Sequence, residues 1–296
     1  MITIEKIERI SNKIKREVLQ FSALKTVSEF AYKKNLEKHV NCLPEISPLD
    51  LILVDSLRQE GAFVTSLQAL ETPSTSLLSA SAEKLLPELL TFSSNGQHSI
   101  SLPLPKLMEH PEIFLWGLEE RLLNIVENYI GLPVLYHGAD FRREIANGKP
   151  IGVRQWHIDV EDHRMLKIIV YLNDVSLNGG PFEYISKYST SSLRQTLQYS
   201  SGFVSDEVMK TVIPISDWKS CTGRSGTVTL SDTCNVFHRA KPPLGADRFS
   251  ITFSYTSRRP IKIYSENTLF RDNLLRTSSR LSRRQRECIL VNRNLL

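Results

Sequence analysis

Apolar residues recur at three- and four-residue steps along the start of the chain. Ile4, Ile7, Ile10, Ile14 and Leu19 stand among Lys, Glu and Arg, a spacing that predicts a helix over 3–40. The two prolines of NCLPEISP (41–48) end it. LDLILVDSLRQEG (49–61) predicts a helix stopped by Gly61, and AFVTSLQAL (62–70) a strand. TPSTSLLSASAE (72–83) opens another helix that continues through LLPELL, and SSNGQHS (93–99) is a turn. EIFLWGLEERLLNIVENYIG (112–131) has the clearest amphipathic helical pattern and ends at Gly131.

After residue 131 the period changes. LPVLYHGADFRRE, GVRQWHIDV, LKIIVYLNDV, PFEYIS, SGTVTLSD, CNVFH and RFSITFSYTS are short, β-branched and aromatic, with Gly, Asn, Pro or Asp between them. This pattern predicts an antiparallel all-β sandwich or barrel. Over 178–222 it weakens: NGG (178–180) is a turn, and SSLRQTLQ and DEVMKTVI read as short helices in an insertion. The last 35 residues read as helical and basic. No internal repeat and no flexible linker between 41 and 131 is visible. The expectation is therefore one integrated domain, 1–296. It has a mostly helical support region (1–130), a β core (131–260) and a helical C-terminal tail (261–296).

Composition narrows the function classes only a little. The chain has 296 residues, 41% of them hydrophobic and 23% charged, as in ordinary globular proteins. Its formal charge of +5 is not that of a dedicated nucleic-acid binder. SRRP (257–260) and RLSRRQR (280–286) carry much of the excess, a run read first as a solvated helix face and second as a phosphate patch. Cys42, Cys221, Cys234 and Cys288 are far apart and form no CxxC pair, which indicates neither a disulfide framework nor a structural zinc site. The N-terminus has no apolar h-region, and no run approaches the roughly 20 apolar residues of a membrane span. A soluble, cytoplasmic protein is expected.

The candidate chemistry starts at QWHIDVEDH (155–163). Read as a strand, it puts His157 and Asp159 on one face and Ile158 on the other. A His and a carboxylate side by side can supply two ligands to a divalent metal. A third can come from His163, close by, or from His238 at the end of SDTCNVFH. His163 falls past the strand end and reads better as part of a surface turn. Beyond His238, RFSITFSY places Arg248 and Ser250 on one strand face, a guanidinium fork and a hydroxyl suited to a carboxylate. Two histidines and one carboxylate form a facial triad that leaves three positions of an octahedral ferrous ion open.

In these motifs the chain resembles the iron(II)/2-oxoglutarate-dependent oxygenases, and more closely their phytanoyl-CoA dioxygenase-like branch. QWHIDVEDHRMLKIIVYLNDVSLNGGPFEYI is similar to the region of the first two ligands, and SGTVTLSDTCNVFHRAKPPLGADRFSITFSY to the last strands, with the distal His and the arginine. LVDSLRQEGAFVTSLQAL is similar to the helix-then-strand opening of many members. The resemblance spans roughly residues 130–260; residues 1–45 and the last 35 take no part in it. It implies a double-stranded β-helix, or jelly-roll, in which His157, Asp159 and His238 hold Fe(II). Arg248 and Ser250 would clamp the far carboxylate of 2-oxoglutarate. O2 is the other co-substrate, succinate and CO2 are products, and the usual outcome is hydroxylation of an unactivated C–H bond. Relatives that halogenate have a small residue where Asp159 stands, so halogenation is not expected.

Other residues carry two readings each. Gln155, on the His157 side in strict alternation, and Tyr171, in KIIVYLND, could both reach 2-oxoglutarate, or be ordinary core residues. Trp156 reads as core. Asp232 could orient His238 or cap a turn. Arg142 and Arg143 suit either the pocket mouth or solvent. The leading function is oxidation of a small molecule, an amino acid or natural-product intermediate. The alternatives are the same chemistry on a nucleic acid or a protein side chain, a non-enzymatic metal-binding jelly-roll sensor, and a zinc hydrolase. No recognition module or aromatic-interleaved basic groove supports a nucleic-acid partner. Arg248 and Ser250 are superfluous in a sensor, and no general-base glutamate accompanies the ligands of a hydrolase.

Overall fold

The computed structural model describes residues 22–261, 272, 274–275 and 281–290. The chain divides into two compact units, Met1–Pro44 and Glu45–Leu296. In the first, α1 (Ser22–His39) passes into a 3-10 turn, Val40–Cys42. The apolar stripe of residues 4–19 lies outside the described residues. Among those described, no helix is long and apolar enough to cross a membrane.

The second unit opens with α2 (Pro48–Glu60), whose first turn is capped by Ser47 accepting from the Asp50 N–H. Gly61 stops it in the left-handed region at φ 85°. A side chain is excluded there twice over, because a Cβ would also lie 2.3 Å from Val236. The strand expected over 62–70 ends early. β1 covers Ala62–Ser66, and then the Ser66 hydroxyl accepts from the Ala69 N–H and starts a helical turn, Leu67–Leu70. α3 (Thr75–Thr91) follows as expected, then the short β2 (Ser99–Ser101).

The single helix expected over 112–131 is two, α4 (Pro111–Trp116) and α5 (Glu120–Ile130). The break falls where the chain closes on its own core. A Cβ on Gly117 would lie 2.5 Å from the Tyr136 hydroxyl, and the Gly117 carbonyl accepts from the Tyr255 hydroxyl at 2.7 Å.

Two antiparallel sheets follow. The larger has the order β1-β7-β4-β9-β3-β2, with β3 at Val134–Glu144, β4 at Leu166–Tyr171, β7 at Thr227–Asp232 and β9 at Arg248–Ser257. The smaller is β6-β5-β8, from Lys219–Cys221, Phe182–Tyr184 and His238–Ala240. Alternation gives the large sheet two unlike faces. Ile168, Val170, Ile251, Phe253 and Phe141 point into a core shared with Leu85, Leu122 and Val126 of α3 and α5. Each such side chain contributes about 1.5–3 kcal/mol on full burial. The opposite face lines a cavity.

The tail adds α8 (Arg283–Ile289), after α6 (Lys187–Thr196) and α7 (Asp206–Val212) of the insertion. Two arginines of its basic run are paired within the chain: Arg284 bonds Glu120 and Glu127, each at 2.8 Å, and Arg283 bonds Glu287 at 2.9 Å.

Candidate metal centre

The segment GVRQWHIDV is not a strand. Gly152–Arg154 forms a 3-10 turn, and only isolated bridges follow, Trp156 to Val204 and His157 to His238. The reason is the lack of one continuous neighbour. Beyond His238 the partner chain turns at Asp232–Asn235, where the Asn235 N–H bonds the Asp232 carbonyl at 3.0 Å. For the same reason CNVFH becomes strand only at His238. The segment is nevertheless tightly fixed. The His157 N–H donates to the His238 carbonyl at 3.0 Å, the His238 N–H returns a bond of 2.9 Å, and the Asp159 N–H donates to the Thr233 carbonyl at 2.9 Å.

Behind the pair, Trp156 is fully buried, as expected of a core residue. Its indole N–H donates to Asp206 at 3.0 Å, Trp218 meets it edge-on, and the Arg239 guanidinium covers its face.

These backbone bonds bring three side chains together. One ligand-capable atom each of His157, Asp159 and His238 lies within 4.8 Å of the others, so the three could hold a metal ion. The two imidazole centroids are 4.2 Å apart. Nδ1 of His157 is 2.9 Å from the Gln155 carbonyl, and Nδ1 of His238 is 3.2 Å from that of Val236. A carbonyl can only accept, so each Nδ1 carries the proton and each Nε2 presents its lone pair. Burial pushes the His157 imidazolium toward deprotonation, and burial together with the facing His157 ring brings His238 down to about 3. For Asp159 burial acts upward, but the Lys167 ammonium and the two imidazoles outweigh it and hold the carboxyl well below the usual range. At neutral pH the cluster is two neutral nitrogens and one carboxylate, a donor set suited to a borderline divalent metal.

The cluster stands in the wall of a cavity of about 790 Å³ between the two sheets. Lys167 and Ile169 of β4, Arg248, Ser250, Thr252 and Ser254 of β9, and Asp140, Arg142 and Glu144 of β3 line one side. Phe182 and His238 line the other, with Phe203 of the insertion beside the His157 ring at 5.4 Å. Arg248 and Ser250 are both buried on the cavity face, as the Arg-x-Ser spacing predicts. The Arg248 guanidinium donates to the Gly180 carbonyl, while its Nε is buried without a hydrogen-bond partner among the described residues.

Several expected residues stand elsewhere. Tyr171 and Gln155 do not line the cavity. The Tyr171 hydroxyl donates to the Cys221 carbonyl at 2.9 Å and accepts from the Phe182 N–H at 2.8 Å, and Gln155 contributes its carbonyl to His157. Asp232 does not touch His238. Its carboxylate accepts from Tyr129, Asn235 and the Met165 N–H, so it braces the turn; the Val236 carbonyl orients the ring. His163 is outside the cluster. Arg142 lines the cavity, and Arg143 pairs with Asp247 at 2.6 Å. Sequence reasoning missed Lys167, whose Nζ is 2.6 Å from Asp159; its one signal was a charged residue inside the apolar run of LKIIVYL.

Several solved structures are similar to this chain. One is SnoK, a non-heme alpha ketoglutarate dependent carbocyclase from nogalamycin biosynthesis. It is 16% identical with a TM-score of 0.51, over 80% of this chain and 92% of that one. HygX from Streptomyces hygroscopicus, solved with nickel, 2-oxoglutarate and hygromycin B, is 18% identical with a TM-score of 0.48, over 72% and 88%. EctD from S. alaskensis, with 2-oxoglutarate and 5-hydroxyectoine, is 19% identical with a TM-score of 0.47, over 72% and 76%. No protein-family model and no curated protein matches the chain.

Proposed function

We propose that the protein is an Fe(II)- and 2-oxoglutarate-dependent dioxygenase of the jelly-roll class, in the phytanoyl-CoA dioxygenase-like branch. It hydroxylates an unactivated C–H bond of a small molecule, with release of succinate and CO2. One observation carries the reading. Two imidazoles with free Nε2 atoms and one carboxylate converge in the same cavity wall as a buried Arg-Ser pair.

Each residue then has a part. His157, Asp159 and His238 would hold the iron, which when bound couples O2 and 2-oxoglutarate to oxidation of a C–H bond. Arg248 and Ser250 receive the far carboxylate of 2-oxoglutarate. The buried, partnerless Nε of Arg248 fits that task, because an incoming carboxylate would satisfy it. Phe182 and Ile169 supply apolar surface to the cavity wall. The cavity of about 790 Å³ falls in the range of about 300–1,000 Å³ that small-molecule sites occupy. The Arg284 ion pairs leave less free charge for nucleic acid than the basic run suggests.

The experiment is anaerobic. Fe(II) and then 2-oxoglutarate are added to the metal-free protein, and the weak visible charge-transfer band of the chelate is recorded. The band is expected in the wild type and should be lost in Arg248→Ala at limiting 2-oxoglutarate. Fe(II) binding with no band on adding 2-oxoglutarate would overturn the oxygenase reading in favour of a metal-binding sensor.

A further inference from the structure

Lys167 sits on the cavity face of β4, between Ser231 of β7 and Ser254 of β9 in register. Its ammonium makes the two oxygens of Asp159 unequal. Oδ2 is 2.6 Å from Nζ of Lys167 and 3.7 Å from Nε2 of His238, whereas Oδ1 is 3.6 Å from Nε2 of His157. Among the described residues, only Oδ2 has a donor at hydrogen-bond distance. Both partners of the bond are shielded, Asp159 at 12% side-chain exposure and Lys167 at 22%, so the interaction is far less screened than a surface pair. Glu161 also lines the cavity, and it acts on Lys167 more weakly than Asp159 does.

A carboxylate can bind a cation through one oxygen or two. A second bound oxygen would fill one of the positions that a three-residue site leaves open for co-substrates. A charge-assisted hydrogen bond to that oxygen competes with such binding, and the same ammonium repels an incoming dication. We propose that Lys167 is a positioning residue of the metal centre. It holds Oδ2 so that Asp159 offers a single oxygen to the metal, and it lowers the affinity of the site for divalent cations. The inference rests on the reading of His157, Asp159 and His238 as metal ligands.

The test is a Co(II) titration of the full-length protein followed by visible absorption, which reports affinity and coordination together. It compares wild type, Lys167→Met and Lys167→Arg, with His238→Ala as control. Lys167→Met should bind Co(II) about tenfold more tightly or better, because one nearby positive charge is gone. Its bands should differ from those of the wild type, and 2-oxoglutarate should perturb them less. Lys167→Arg, which keeps a charged donor, should restore the wild-type spectrum. Unchanged or weaker affinity in Lys167→Met with wild-type bands would overturn the proposal while leaving the metal site intact. Absence of Co(II) binding in the wild type, or its persistence in His238→Ala, would instead remove the metal reading itself. Should Lys167→Met not fold, Lys167→Gln carries the same expectation.

Discussion

Arg154 gives the most direct test of how the segment carrying His157 and Asp159 is anchored. It ends the 3-10 turn that leads into His157, and both it and Glu144 are 0% exposed. Its Nε donates to Glu144 at 2.9 Å, Nη1 to the Asn147 side chain at 2.7 Å, and Nη2 to the carbonyls of Ile145, at 2.9 Å, and His98. One guanidinium thus ties the turn before His157 to the end of β3 and to the approach to β2. Arg154→Met fills much of the volume but leaves Glu144 a buried charge whose nearest remaining cation, Arg142, is 3.7 Å away. Breaking a buried pair from one side costs about 3–5 kcal/mol. For a chain of this size about 2–4 °C of Tm follows each kcal/mol, so a fall of roughly 6–20 °C is expected. Circular dichroism melts and urea unfolding would measure it. Lys at this position supplies three donors from a point, not a planar fork, and should recover only part of the loss. Adding Glu144→Gln to Arg154→Met should cost at least about 1 kcal/mol less than the two single losses combined, since the orphaned charge is then gone. A loss under about 1 kcal/mol for Arg154→Met, or strict additivity in the double variant, would refute the argument.

The three proposed metal ligands, Asp162, Tyr171 and Arg248 carry four more expectations. Alanine at His157, Asp159 or His238 should each weaken Mn(II) binding by at least about 100-fold in calorimetry, since one of the three ligand-capable side chains of the cluster is then gone. Burial raises the Asp162 carboxyl to about 6, against the bonds it accepts from Ser257 and His163. A carboxyl whose pKa is higher folded than unfolded favours folding below its unfolded value, and that contribution is lost as pH rises through about 6. Urea midpoints should show about 2 kcal/mol of this loss between pH 4 and 6.5. Asp162→Asn should flatten that slope, and an unchanged slope would count against Asp162 as its source. Tyr171→Phe strands a buried N–H and carbonyl and should cost about 1–3 kcal/mol of stability with 2-oxoglutarate affinity unchanged. Weakened 2-oxoglutarate binding would put Tyr171 back among the co-substrate contacts. Arg248→Lys should weaken 2-oxoglutarate binding to the Mn(II)-loaded protein by roughly 30-fold or more, equivalent to at least about 2 kcal/mol for a buried charged contact.

The residues that converge in the cavity were legible because their chemistry is set by type and short spacing. His157 and Asp159 stand side by side as expected, yet not through strand alternation. The reciprocal His157–His238 bridge and the bond from Asp159 to Thr233 hold them there. A separation of two residues in extended backbone was sufficient, whether or not a ladder formed. Arg248 and Ser250 were legible for the stronger reason, since β9 is flanked on both sides by β3 and β4 and its alternation is enforced by pairing. Helix breaks were less legible. The gap at Gly117 depends on Tyr136 and Tyr255, which reach it from strands laid down after the helix.

Tyr171 and Lys167 show where alternation stops being informative. Both are on β4, separated by an even number of residues, so period two assigns them to the same face. Lys167 lies mid-strand and keeps that direction into the cavity. Tyr171 lies at the strand end, where the small sheet approaches, and the Cys221 carbonyl and Phe182 N–H take up both hydrogen-bonding capacities of its hydroxyl. A pattern along one strand gives the face of a side chain, but not which partner from another sheet will claim its polar tip. That partner depends on β5 pairing with β6, a contact between segments whose hydrophobic pattern is too short to register. The same limit hid the role of Lys167. Its face could be read from LKIIVYL, but Asp159 reaches it only because the chain turns between them at 160–165. Residue type and spacing therefore locate a site, and the polar contacts that tune it come from the crossing of elements distant in sequence.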